Sequence, residues 1–190
     1  MDSNYRIPCI TGLKYYNTPM SEKIHQMQIT FVPVQDRLMF RLNTTDRTEF
    51  KLWFTRRYVR LLWKVLQQML DKTQPVMSAD PQAKQAMLSF QHEQALARTD
   101  FATQYQEIPE SRRPLGEEPV LVSKIQVKPG PNNTQVLCLH PEQGQGLEIA
   151  FDPTLLHSFC KLLVEGVRKT DWDLEYRISD EVAPVSQTTH

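Results

Sequence analysis

Three arginines crowd one short stretch of this sequence, Thr55-Arg56-Arg57-Tyr58-Val59-Arg60. The stretch opens a helix expected from about Arg56 to Leu70, in which Val59, Leu62, Leu66, Met69 and Leu70 recur at helical spacing. A helix N-terminus carries positive partial charge, so arginine there costs roughly a few tenths of a kcal/mol unless an anion compensates it. Unpaired helix amides together with Arg56, Arg57 and Arg60 are the chemistry of an anion site. On the preceding strand Lys51 and Trp53 alternate away from Phe50, Leu52 and Phe54, which places them on the outer sheet face. A cation beside an indole can hold a phosphate and stack a base. The candidate binding set is therefore Arg56, Arg57, Arg60, Lys51 and Trp53. The alternative is that Glu49, Asp46 or acidic residues of the second half neutralise the arginines.

Other chemistry is thinner. Cysteine and histidine come together locally only as Cys138-x-His140 on a strand and His157-x-x-Cys160 on a helix. A structural zinc site needs four convergent ligands. Cys160 falls on an apolar stripe with Leu156, Leu163 and Val167, while His157 shares a face with Lys161 and Arg168 and is expected to point to solvent. No metal ligand set is expected. His92-Glu93 reads as half of a zincin motif, but the place of its second histidine is taken by Leu96. There is no nucleophile elbow. Gly144-Gln-Gly146 is the sole close pair among six glycines and precedes a strand, which suits a hairpin and not a nucleotide loop. The reading is of a non-enzyme with no catalytic residues and no cofactor.

The elements that must position these residues follow one order twice. In the first half, Met27–Val34, Leu38–Leu42 and Phe50–Phe54 read as strands, with turns at Asp36-Arg37 and Asn43–Asp46, before the arginine-led helix. In the second, Val120–Val127, Gln135–Leu139 and Leu147–Phe151 read as strands before a helix from Pro153 to about Lys169, with Asp152 as its cap. A shift of 97 residues lays Phe50, Leu52 and Phe54 on Leu147, Ile149 and Phe151, and Val59, Leu62, Leu66 and Leu70 on Leu156, Phe159, Leu163 and Val167. The fold class is therefore α+β: two pseudo-repeated antiparallel meanders of three to four strands, each followed by one amphipathic helix. Arg6–Tyr16 reads as a further strand of the first. The expected divisions are a first repeat over 1–72, a connection over 73–119, a second repeat over 120–179 and a disordered tail over 180–190. The connection holds a helix capped by Asp80-Pro81 and an exposed Pro- and charge-rich linker from Glu107 to Pro119.

Composition adds a constraint. The 190 residues carry 22 Lys+Arg and 22 Asp+Glu. Residues 1–75 hold 12 basic and 6 acidic side chains and residues 76–190 hold 10 and 16, so zero net charge hides halves of +6 and −6. No apolar run is long enough to cross a membrane, and no Sec signal is visible at the start. Cys9, Cys138 and Cys160, an odd and sparse set, suit a reducing compartment, and a cytoplasmic location is expected.

Phe50–Leu70 with its Thr55-Arg56-Arg57 start, Phe90-Gln-His-Glu-Gln-Ala-Leu96 and Leu156-His-Ser-Phe-Cys160 together resemble a small bacterial family of no assigned function, a likeness that implies no activity. In element order the chain is similar to the PUR repeats of single-stranded nucleic-acid binders. It departs from them in having three strands in an acidic second repeat, so no site residue transfers. These readings converge on a non-catalytic binding protein whose partner is single-stranded nucleic acid or an acidic protein. The alternative is a protein-interaction or assembly adaptor. Open sheet edges leave a homodimer available.

Overall fold

The computed structural model describes residues 24–73, 81–97, 100–101, 103–131, 134–174 and 176. The strand expected over Arg6–Tyr16, Cys9, the Asp80 cap and the tail from Asp180 lie outside them.

Strand β1 (Ile24–Val32) stops at Pro33, which has no amide to donate to a ladder, and a 3-10 turn (Pro33–Gln35) follows. Asp36 then adopts φ 47°, a left-handed conformation that turns the chain into β2 (Arg37–Thr44). A tight turn through Arg47 (φ 59°) leads to β3 (Glu49–Phe54). The three strands pair antiparallel, with Ile29, Phe40 and Leu52 in one cross-strand row. Period-two alternation sends that row and its neighbours Leu38, Leu42, Phe50 and Phe54 into the core, where all are buried. Helix α1 (Arg56–Thr73) is capped by Thr55, whose hydroxyl accepts from the Tyr58 amide at 3.2 Å. Its stripe of Tyr58, Val59, Leu62, Trp63, Leu66 and Met69 is buried. Helix α2 (Pro81–Ala97) spans the expected connection.

The strand expected over Val120–Val127 is divided. β4 (Val120–Leu121) runs parallel to β3, and β5 (Lys124–Pro129) begins a second sheet. Val122 is buried, its amide donating to the Trp53 carbonyl at 3.2 Å, while the Ser123 amide donates to His140 at 2.9 Å. Two residues, Val122 and Ser123, thus pass the chain between sheets, and the edge of β3 gains partners that a continuous strand in the second sheet would have denied it. β6 (Gln135–His140) and β7 (Leu147–Phe151) complete the second sheet. Helix α3 (Pro153–Arg168) starts as expected: the Asp152 side chain accepts from the Leu155 amide at 2.8 Å, and Pro153 needs no donor at the first position.

The protein is α+β, with a four-stranded sheet in the order β1-β2-β3-β4, a three-stranded sheet β5-β6-β7 and three α-helices among the described residues. The two halves interlock. α3, which follows the second sheet, packs on the first: Phe159 meets Phe40 edge-on at 5.2 Å, and a Cβ on Gly166 would come within 2.7 Å of Ile29. α1, which follows the first sheet, reaches the second: the Tyr58 hydroxyl donates to the Lys124 carbonyl at 3.2 Å, and the Gln135 side-chain Nε2 donates to the Met69 carbonyl at 2.7 Å. Trp172, beyond α3, is buried and donates its indole N–H to Asp36 of the first half at 2.5 Å. One apolar cluster draws on both halves.

The linker is not free. Residues 105–117 lie as a strap over the outer face of the first sheet. Arg41 pairs with Glu107 at 2.6 Å and stands over the Tyr105 ring. Asn43 donates to the Gln106 carbonyl, the Glu49 amide donates to Arg112, and Arg112 pairs with Asp46 at 2.8 Å. The polar composition that reads as a linker serves here to bind the polar face of a sheet. Among the described residues no helix is long and apolar enough to cross a membrane.

Candidate functional site

The structure sorts the five candidate residues into two groups. Arg56, Arg57 and Arg60 are exposed on the solvent face of α1, continuous with exposed Lys64 one turn further. Among the described residues none of the four pairs with a carboxylate. The acids that might have neutralised them are engaged elsewhere: Asp46 by Arg112, and Glu49 by Arg113 and Lys51.

Lys51 and Trp53 occupy the outer face of the first sheet, as their alternation requires, but that face is not an open platform. Lys51 lies 3.5 Å from the Glu49 carboxylate, which is itself almost fully buried. Glu49 also accepts from Arg113 at 2.9 Å, the Tyr105 hydroxyl at 3.2 Å and Ser111 at 3.3 Å. Burial alone would raise its pKa; the Arg113 hydrogen bond and the positive charges of Lys51 and Arg113 outweigh this and hold the carboxyl below its ordinary range. Trp53 is half-buried, with Met39 and Leu121 as cross-strand neighbours. Lys51 is thus engaged by Glu49, whereas the arginines of α1 stay open among the described residues.

One residue near that surface had no sequence signal. Tyr176 stacks on Trp63 of α1, ring centroids 4.8 Å apart. Its hydroxyl is buried without a hydrogen-bond partner among the described residues. Burial raises the Tyr176 phenol, and Arg60 and Arg56 are close enough to act in the opposite direction. Arg56 and Arg60 thus lie on the side of α1 that Tyr176 covers.

Among the remaining histidines and cysteines, His157 falls differently from expectation. His157 is not at the surface: it is 3 % exposed, and its Nδ1 lies 3.2 Å from Nδ1 of His92 on α2. The helical wheel puts it beside Lys161, but α2 covers that face. Burial and the neighbouring His92 push the His157 pKa down to about 4, and burial with the Lys161 charge lowers His92. Cys160 is buried in the core, as its place on the apolar stripe requires. A cleft of about 790 Å³ runs between β1, the residues Asp100, Phe101 and 103–105, and the Asp152–Lys169 face of α3.

These features define an α+β protein with a basic helix face. In comparisons with known proteins the chain matches no family model, no curated protein and no solved structure. The functional reading therefore rests on the chain's own geometry.

Proposed function

We propose that this is a non-catalytic binding protein that recognises phosphate groups of an anionic partner, single-stranded nucleic acid in first place, through Arg56, Arg57 and Arg60. The observation that carries the reading is the exposed charge of Arg56, Arg57 and Arg60, none of which pairs with a carboxylate among the described residues. A phosphate oxygen would accept from paired guanidinium N–H groups while offsetting the unfavourable charge at the helix start. Lys64 extends the stripe by one turn. Lys51 and Trp53 belong to the sheet and its strap in this reading, with only the exposed margin of Trp53 left for stacking. The two strand–helix units are read as copies of one supersecondary unit, of which the first keeps the ligand.

The test is fluorescence anisotropy of a labelled single-stranded oligonucleotide. The double charge reversal Arg56→Glu/Arg57→Glu should weaken binding at least about tenfold at low salt and flatten the dependence of log K on log salt by close to two contacts. Binding that ignores the charge reversal would overturn the proposal.

A second reading, a protein-interaction adaptor, is favoured by Met87 and Phe90, exposed one helical turn apart on α2 at 48 % and 54 %. Large apolar side chains left in water at helical spacing suit a partner helix. An acidic protein on α1 would share the salt dependence but compete with, and not require, the oligonucleotide.

A further inference from the structure

Strand periodicity and register bring three different metal-ligating groups together on the outer face of the second sheet. Cys138 and His140 stand two residues apart on β6 and share a face. Glu148 on β7 lies directly opposite Cys138 in the antiparallel register. The thiol sulfur, an imidazole nitrogen and a carboxylate oxygen all lie within 4.8 Å of one another. His140 turns Nε2 toward the cluster, 3.8 Å from Oε1 of Glu148. Its ring packs on Gly146, where a Cβ would collide with the imidazole and with the Leu139 carbonyl. The absence of a side chain at 146 thus helps to set the ring's position.

A cation is already drawn to this place. The Lys128 ammonium on β5 sits 2.7 Å from the same Oε1 of Glu148, near enough to Cys138 to bear on the thiol as well. Its side chain is 45 % exposed, so it can swing out to water. Cys138 forms the buried floor, whereas His140 and Glu148 are each about one-third exposed and leave a way in from solvent.

We propose that Cys138, His140 and Glu148 bind one zinc ion, with Lys128 holding the carboxylate in the metal-free chain and giving way to the metal. Zinc–ligand bonds of about 2.0–2.3 Å in a tetrahedral arrangement put ligand atoms roughly 3.3–3.8 Å apart. From separations of up to 4.8 Å the three groups need to close by at most about 1.5 Å, within the reach of side-chain rotation on a fixed ladder. Sulfur and imidazole with one carboxylate select zinc or cobalt(II) over magnesium or calcium. Three protein ligands leave the fourth position to water or to an incoming ligand. On binding, the thiol gives its proton to solvent, and the thiolate and carboxylate offset the ion's two positive charges. Lys128 moves out because the metal now repels it. The pair Cys138-x-His140 is legible in the sequence, and the third ligand comes from the next strand, where only register could find it.

The test titrates cobalt(II) into the reduced full chain and reads absorbance. The expected result is a thiolate-to-cobalt charge-transfer band with tetrahedral visible bands, saturating at one cobalt per chain and abolished by zinc. Cys138→Ser should remove the charge-transfer band. His140→Ala and Glu148→Gln, at half-exposed positions whose folding circular dichroism can check, should each weaken binding by roughly 10–100-fold. Lys128→Ala should tighten it, since no ammonium then competes for Glu148. A wild-type chain that gives no thiolate band overturns the proposal. So does a band that survives Cys138→Ser, or cobalt affinity unmoved by both His140→Ala and Glu148→Gln in folded protein.

Discussion

Glu49 is the acid that fastens the strap to the first sheet, and replacing it tests whether that segment belongs to the folded structure. In Glu49→Gln the side chain keeps its shape and loses its charge. Three donors now meet a carboxylate: Arg113 at 2.9 Å, Tyr105 at 3.2 Å and Ser111 at 3.3 Å, with Lys51 at 3.5 Å. Bonds to a charged group contribute about 1.5–3 kcal/mol each against about 0.5–1.5 for neutral ones. Two of the three bonds are long, and the partly exposed cations can turn to water. A loss of about 2 kcal/mol follows, which for a chain of this size lowers Tm by roughly 4–8 °C. The pH dependence carries a sign. The folded carboxyl has a pKa below its unfolded value, so its contribution is complete above the unfolded value, near 4.5, and is lost as pH falls through the folded value. The gap between wild type and Glu49→Gln should be full at pH 7 and close below pH 4.5. Calorimetry at several pH values measures the gap, and hydrogen exchange at Arg112 and Glu49, whose amides donate to Arg47 and Arg112, should quicken in the variant. A Tm difference under about 1 °C at pH 7, or a gap that widens on acidification, would refute the reasoning.

Other expectations come from single contacts. Gly166→Ala should destabilise by about 1–3 kcal/mol in chemical denaturation, although alanine favours helix by about 1 kcal/mol, because the new Cβ would lie 2.7 Å from Ile29. Asp152→Ala removes the cap on the Leu155 amide and should cost about 1 kcal/mol by the same measurement. His157 is held neutral in the fold, its pKa pushed down to about 4 by burial and His92. The unfolded chain therefore binds more protons between about pH 4 and 6.5, and stability should fall as pH drops through that window, by at most about 1.4 kcal/mol per unit for one proton. His157→Gln should flatten that part of the stability–pH curve, and an unchanged slope would remove His157 as its source.

Much of the framework was legible because alternation and helical spacing are local. Phe50, Leu52 and Phe54, then Val59, Leu62 and Leu66, are all buried, as are their counterparts Leu147, Ile149, Phe151, Leu156, Phe159 and Leu163. Asp152-Pro153 announced a helix start for a reason that needs no tertiary contact. His157 was misplaced because a helical wheel shows which residues share a face and not which neighbouring helix covers it. The linker is largely exposed, as its composition implies, but its seat on the sheet was not legible, because the polar face that holds it lies far away in sequence.

The sequence by itself determined the pattern of strands and helices, the inward residues of each, the exposed arginines at the start of α1 and the uneven division of charge. These depend on neighbours a few residues apart, whose relations are set by backbone periodicity. Tertiary structure decided which charges remain open. Glu49 is committed to Lys51 and Arg113, and Asp46 to Arg112, pairings up to 66 residues apart that no spacing rule encodes. It also decided that Val120–Val127 is shared between two sheets, that each helix reaches the other half, and that Glu148 stands across from Cys138. Register and docking set these contacts, because burying two incomplete sheets in one core selects among many arrangements that the local pattern equally allows.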